Sequence, residues 1–176
     1  ARTRSRPSFG RLVSLTGRLG MKSGQADLFA QVSGGLWIAP RQLSGDAISL
    51  AKSLKVEKYM NFFSAEHMAF VPTSAAVQEW WDLEGIQEVY NSFSKTTKPV
   101  IKYWATKNNV IDSARAFRDY TTILTNWRHA PYFDPGLPQE FLPKSWAGYQ
   151  ATENFFELHD KLAGPALNFA LNIAKK

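Results

Sequence analysis

The stretch LKVEKYMNFFSAEHMAFVPT, from Leu54 to Thr73, contains the pattern of apolar residues on which the predicted fold mainly rests. Four of its apolar residues occupy positions i, i+3, i+4 and i+7, the spacing of the buried stripe of an amphipathic helix. These residues are Val56, Tyr59, Met60 and Phe63. Pro72 then ends the pattern, because proline lacks the amide hydrogen that a helix interior requires. With the apolar stripe of SGDAISLAKSL just before it, the stretch predicts a pair of helices.

Two later stretches repeat this pattern. EGIQEVYNSFSKTTKP, residues 84–99, and NNVIDSARAFRDYTTILTN, residues 108–126, again place apolar residues at helical spacing. A hydroxyl at Thr73 or Ser74 is suited to cap a helix, and Pro99 is suited to the first turn of another. Helices of this length with short connections pack as antiparallel neighbours.

The pattern predicts an all-α fold, an irregular array of antiparallel helical hairpins with about seven helices. Four prolines in residues 129–149 predict an ordered strap, and Gly164 with Pro165 predicts a break in the last helix. The glycine-rich start predicts an extended arm. The predicted domains are a basic arm, 1–45, and a helical domain, 46–176. Within that domain we expect hairpin repeats at 46–126, the strap at 127–149 and a C-terminal helix at 150–176.

The positive charge of the chain is concentrated at its start. The formal net charge is +6, and the first 26 residues hold five arginines and Lys22 without any acid. They are Arg2, Arg4, Arg6, Arg11 and Arg18. Such an Arg-rich, Ser-rich and acid-free start is typical of a segment beside a mitochondrial transit peptide. Alternatively, the segment binds an acidic protein surface, or the phosphates of RNA or of anionic lipids.

The repeated stretches resemble the turn and second helix of pentatricopeptide repeats, over about residues 46–126. This resemblance implies a helical-repeat protein, and the family reads RNA. The spacing is irregular, because Val56 to Ile86 is 30 residues and Ile86 to Ile111 is 25, whereas the family's unit is about 35.

In size and general character the chain also resembles the extra subunit on the catalytic head of euglenozoan mitochondrial ATP synthase. That resemblance implies a non-catalytic subunit on the matrix side, bound to the ATP synthase alpha subunit. An organellar RNA-binding repeat protein is the alternative, and a small helical enzyme ranks third.

No motif in the sequence predicts catalysis, a cofactor or a metal site. The chain lacks cysteine, and His67, His129 and His159 are isolated from one another. No apolar run approaches the roughly 20 residues of a membrane helix. The predicted partner-binding residues are therefore aromatic or basic: Trp80, Trp81 and Trp37, together with the five arginines. Adjacent helical residues point about 100° apart, so either one ring of the Trp80–Trp81 pair faces a partner or both are buried between helices.

Overall fold

The computed structural model describes residues 12–16, 28–65, 70, 72–107 and 112–175, with backbone alone for 12–16. The strands are β1 (Leu12–Thr16), β2 (Ala30–Ser33), β3 (Leu36–Ala39) and β4 (Asn61–Ala65). The helices are α1 (Ser44–Ser53), α2 (Thr73–Trp80), α3 (Leu83–Ala105), α4 (Ser113–Trp127), α5 (Ala130–Phe133) and α6 (Ala147–Ala174). The described residues form two compact units: those up to residue 83 together with 132–142, and those of 84–131 together with 143–175.

The first unit contains a four-stranded antiparallel sheet in the order β2-β3-β1-β4. A tight turn at Gly34 and Gly35 joins β2 to β3, and Gly35 has a φ of 82°, which glycine adopts without a steric cost. Strand β1 is central, with Leu15 opposite Trp37 on one side and Phe62 on the other.

Helix α1 supplies one side of the core of this unit. Ala47 and Ala51, four residues apart, are buried in one cluster with Phe29, Ala39 and Met60. Small residues at the two helical positions let the backbone of α1 approach its neighbours closely. Residues that are distant in sequence also meet in this unit, because Gln42 Nε2 donates to the Gly136 carbonyl oxygen at 2.7 Å.

The predicted helix over residues 54–63 is wrong. Helix α1 ends at Ser53, and Lys55 adopts a φ of 55°, a left-handed conformation that terminates helices. A short 3-10 turn at Glu57–Tyr59 follows, and the chain then enters strand β4. Aromatic residues such as Phe62 and Phe63 favour a pleated, half-buried surface, and here Phe62 packs against the core while Phe63 is exposed.

The second unit is helical. Helices α4 and α6 pack together and run antiparallel, because Phe117 lies against Phe169 and Trp127 lies against Phe155. Asp112 caps α4 by accepting hydrogen bonds from two backbone amides, those of Ala114 and Arg115, each at 3.1 Å.

Two prolines lie inside helices where breaks or starts were predicted. Helix α3 continues through Pro99 and α6 continues through Pro165. In α3 the hydroxyl of Thr97 donates to the Phe93 carbonyl oxygen at 2.9 Å, within the turn that precedes the proline. In α6 the buried residues Leu162 and Ala166 flank Pro165, so packing outweighs the missing amide hydrogen.

The described residues are mostly helical, as predicted, but the all-α prediction did not include the four-stranded sheet. Within the predicted extended arm, residues 30–33 and 36–39 are short paired strands. The predicted boundary between residues 45 and 46 stays a prediction. Within the described residues, none of the helices combines the length and apolar character that crossing a bilayer would require.

Candidate functional site

The three predicted tryptophans all lie in the first unit. Trp37 is half-buried in β3 and packs against the α1 core. Trp81 is only 4% exposed, whereas Trp80 at the end of α2 is half-buried. Their rings meet edge to face with centroids 6.2 Å apart. The structure therefore brings Trp80 and Trp81 together, and their role in partner binding stays a prediction.

The five predicted arginines and His67 lie outside the described residues. The two remaining histidines are in the helical unit and far apart in sequence. His129 is exposed, and His159 is half-buried with its Nδ1 2.9 Å from the Tyr120 hydroxyl. In the parts of the chain that the structure describes, no three acidic or histidine side chains gather into a metal site.

An aromatic cluster forms the centre of the helical unit. Trp127 of α4 stacks on Phe155 of α6 with ring centroids 4.7 Å apart and an interplanar angle of 11°. Tyr90 and Phe93 of α3 contact the same Trp127 ring at 6.2 and 5.0 Å. Trp146, which precedes α6, meets Tyr90 edge to face. These contacts tie α3, α4 and α6 into one rigid support for their outer surfaces.

A buried polar cluster adds a second connection between α3 and α4. Trp104 is 1% exposed, and its indole Nε1 donates to Asp119 Oδ2 at 3.0 Å. Arg115 Nε lies 3.5 Å from the same oxygen, an ion-pair distance, but makes no hydrogen bond. The guanidinium of Arg115 also lies over the Tyr103 ring, 3.5 Å from its centroid. Lys161 of α6 donates to the Trp104 carbonyl oxygen, so the cluster joins all three helices.

Two recesses open on the surface of the helical unit. The first is an apolar groove of about 360 Å³ between α4 and α6, lined by Phe117, Leu124 and Leu167 among others. The second, of about 540 Å³, lies between α3 and α4 and has a partly polar lining, so we call it the polar recess. Its polar side chains are Glu88, Ser92, Thr96, Asn126 and His129. Both volumes fall in the range of small-molecule sites.

The chemistry of the two recesses differs. The polar recess offers a carboxylate, an imidazole, an amide and hydroxyls, and thus can hydrogen-bond a small polar molecule. The groove offers apolar contact with a single guanidinium, that of Arg128, at its edge. The sequence reasoning singled out neither recess. The exposed apolar positions of α4 and α6, offset from the buried ones by one residue, were the available signal.

The site as a whole consists of a small sheet unit and a helical unit with recesses on its surface. A family model described as the PaaX-like protein C-terminal domain matches residues 81–172, more than half of the chain. A model described as the PaaX protein central Cas2-like domain matches residues 25–77. The chain therefore belongs to the PaaX-like protein family.

One curated relative is the transcriptional repressor PaaX of Escherichia coli (strain K12), 25% identical over 144 residues. The match covers 80% of this chain and 46% of the repressor, so the chain spans about half of that relative's length. A solved structure, the uncharacterized protein Rv0674 from Mycobacterium tuberculosis, matches with a TM-score of 0.55 and 18% identity. That match covers 93% of this chain and 64% of the other, and it shows a shared fold.

These matches overturn the predicted identity and function. The resemblances to pentatricopeptide repeats and to the ATP synthase subunit were wrong, and so was the RNA-binding alternative. The predicted binding to the ATP synthase alpha subunit and the mitochondrial location are also wrong, because the relative is a bacterial transcriptional repressor. The repeat resemblance was wrong because apolar residues at helical spacing also occur in a stretch that forms strand β4. The mitochondrial prediction was wrong because an acid-free basic segment is compatible with any anionic partner. Similarity to a repressor favours the predicted non-enzyme class, and the idea of an enzyme's accessory subunit has no support.

Proposed function

We propose that this chain is part of a transcriptional repressor and acts by binding, without catalysis. The observation that carries the proposal is the pair of family matches, 25–77 and 81–172, which together span both compact units. The repressor from Escherichia coli is 25% identical to this chain over 144 aligned residues. DNA is the partner that a repressor requires.

The structure supports a binding role through its rigidity. Leu158 and Leu162 of α6 are at most 1% exposed, and the Trp127–Phe155 stack fixes α4 against this helix. Such a body presents surface side chains in fixed positions, which lowers the entropy lost when a partner is bound.

The direct test combines genome occupancy with transcript levels in the native host. The protein carries an epitope tag, its bound DNA is sequenced after cross-linking, and transcripts are compared between the wild-type strain and a deletion strain. We expect a small set of occupied promoters whose transcripts rise in the deletion strain and fall when the wild-type gene is restored. Occupied sites without a transcript change, or no occupied sites, would contradict a repressor role.

The arginines of the first 26 residues remain predicted partner-binding residues, and we propose DNA phosphates as their target. The variant replaces Arg2, Arg4, Arg6, Arg11 and Arg18 with Gln. The control removes the same charge from exposed lysines of the described residues: Lys52, Lys95, Lys98, Lys102 and Lys175. Each lost phosphate contact reduces the slope of log affinity against log salt by about 0.9.

The two variants separate specific contacts from net charge. We expect the slope measured by fluorescence anisotropy on an occupied promoter to fall more for the arginine variant than for the lysine control. Equal slopes in the two variants would show that these arginines contribute only to net charge.

A further inference from the structure

The second half of α3 carries a row of exposed lysines. Three lysines follow Asn91 at steps of four, three and four residues, which places these side chains on one face of the helix. They are Lys95, Lys98 and Lys102, and we call them the lysine row. All three are exposed, so their positive charge is presented together on one surface of the helical unit.

No acidic side chain balances the lysine row. The chain contains no Asp or Glu between Glu88 and Asp112, a stretch that includes four lysines. Glu88 lies seven residues before the row, which is about 10 Å along the helix axis. Asp112 is engaged as the cap of α4. Among the described residues none of the three lysines forms an ion pair, whereas Asp119 pairs with two arginines.

The helix dipole accounts for only one member of the row. Cations near the C-terminus of a helix are stabilised by the negative end of the dipole, and this effect is confined to about the last turn. Helix α3 ends at Ala105, so Lys102 lies in that turn. Lys95 and Lys98 lie in the middle of the helix. The dipole therefore does not explain why they share a face with Lys102.

The neighbours of the lysine row indicate the class of its partner. No large apolar side chain of α3, which the structure describes in full, is exposed, although α4 and α6 expose several. Protein interfaces rely on apolar or aromatic anchors and are depleted in lysine. Contacts to the DNA backbone instead use lysine together with hydroxyl and amide side chains. Asn91 and Ser92 are exposed beside the row and supply these groups.

We propose that the lysine row contacts the phosphate backbone of DNA, so that the helical unit adds affinity that does not depend on base sequence. This inference rests on the proposed function, because it names a surface at which the repressor meets its DNA. From Lys95 to Lys102 the row is about 10 Å long, and one DNA strand presents a phosphate about every 3.4 Å along the axis. Three lysines thus match about three successive phosphates.

The core of the helical unit holds the lysine row in place. Phe93, two residues before the row, packs against Trp127 of α4 with ring centroids 5.0 Å apart. Trp104, two residues after the row, donates its indole hydrogen to Asp119 of α4 at 3.0 Å. Because the backbone is fixed at both ends of the row, mainly the lysine side chains lose conformational freedom on binding.

The test measures binding of the full chain to a fluorescent DNA duplex of arbitrary sequence by anisotropy, at salt concentrations from about 50 to 200 mM. The row variant combines Lys95→Gln, Lys98→Gln and Lys102→Gln. Each lost phosphate contact lowers the slope of log affinity against log salt by about 0.9, so the slope should fall by about 2.7. Over this fourfold range of salt, the wild-type affinity should therefore decrease about 40-fold more than that of the row variant.

A matched control removes three exposed lysines that share no helix face: Lys52, Lys144 and Lys175. Its net charge equals that of the row variant, and its slope should stay close to the wild-type slope. The five-lysine control for the arginine variant includes the whole row. Its slope should therefore fall by about 2.7, less than the fall of about 4.5 for five lost arginine contacts. Circular dichroism verifies that each variant retains its helices.

A second measurement detects proximity to DNA independently of charge. The chain lacks cysteine, so one introduced thiol carries a single photoactivatable cross-linker. Asn91→Cys places it beside the lysine row, and Asn172→Cys places it at the exposed end of α6 as the control. Cross-links to the duplex are expected from the first variant and not from the second.

Three outcomes would overturn the proposal. A row variant with the slope of its matched control shows that these lysines do not contact phosphates, and it leaves the proposed repressor function intact. A row variant that loses binding to fluorescent poly-glutamate, but keeps the wild-type affinity and slope on DNA, assigns the row to an acidic protein. A wild type that binds neither this duplex nor any promoter refutes the repressor function together with this inference.

Discussion

Substituting Asp119 with alanine is expected to destabilise the helical unit, because this carboxylate accepts the hydrogen bond that the buried indole of Trp104 donates. Trp104 is 1% exposed and donates from Nε1 to Asp119 Oδ2 at 3.0 Å. After Asp119→Ala the indole N–H stays buried without an acceptor. The effect thus reports on the contact between α3 and α4.

The magnitude follows mainly from the lost hydrogen bond. A buried hydrogen bond to a charged group is worth about 1.5 to 3 kcal/mol, and this value already includes leaving the indole donor unsatisfied. The ion pairs of Asp119 with Arg115 and Arg118 add less than about 1 kcal/mol, since the arginine side chains are 38% and 71% exposed. We therefore expect the free energy of unfolding to fall by about 2 to 3 kcal/mol.

The assay is urea unfolding followed by circular dichroism at the helical band, as a double-mutant cycle with Trp104→Phe. The coupling between the two substitutions should be about 1 to 2 kcal/mol, because either one removes the hydrogen bond. Asp112→Ala is the control: it removes the α4 cap, costs about 1 kcal/mol and should not couple to Trp104→Phe. Additive effects of Asp119→Ala and Trp104→Phe would refute the reasoning.

The remaining predictions concern stability at two glycines and two tryptophans. Gly148→Ala places a Cβ 2.5 Å from Trp146 Nε1 and should cost about 1 to 3 kcal/mol, whereas Gly164→Ala meets nothing within 4 Å and should stabilise α6 by about 0.5 to 1 kcal/mol. Thermal unfolding distinguishes them, and equal shifts in melting temperature would contradict the packing argument. Trp81→Ala, at a residue 4% exposed, should cost about 3 to 5 kcal/mol and clearly more than Trp80→Ala at a half-buried residue, as measured by urea unfolding. A larger loss of stability for Trp80→Ala than for Trp81→Ala would contradict the conclusion that Trp81 is the more tightly packed ring.

Local sequence signals located several helices and failed where non-local pairing decided the structure. Helix α1 begins at Ser44 and α2 at Thr73, close to where the apolar spacing predicts helices, but the predicted cap at Thr73 or Ser74 is wrong, because the N-cap of α2 is Pro72, without a side-chain cap hydrogen bond. Residues 61–65 show the limit of this approach, because their spacing also fits a helix. They form a strand because β1 pairs with them over five residues, and a periodicity count does not contain that partner.

The prolines give a second example of this limit. Pro99 and Pro165 each predict a helix boundary from sequence alone, and each lies inside a long helix. Burial of neighbours such as Leu162 and Ala166 stabilises the continued helix. This stabilisation exceeds the cost of the one backbone hydrogen bond that the proline removes. Packing of this kind is invisible until the partner helix is known.

Little of the candidate site could be predicted. Aromatic residues were recognised as important, yet Trp37 and Trp81 contribute mainly to the core of the first unit. Finding the apolar groove required knowing which face of α4 packs against α6, and that depends on contacts such as the stack of Trp127 on Phe155. The sequence contains both faces of each helix, and only the structure shows which one is left exposed.

The way the chain is divided between its two units has a consequence for folding. Residues 132–142 belong with the sheet unit, although the whole of α3 and α4 separates them from it in sequence. The hydrogen bond from Gln42 to Gly136 closes a loop of 94 residues. During synthesis the first unit therefore cannot complete its fold until residues 132–142 have emerged, after most of the second unit. Such long-range closure slows folding. A cut after residue 83 does not isolate a folding unit, because it removes a segment on which the sheet unit depends.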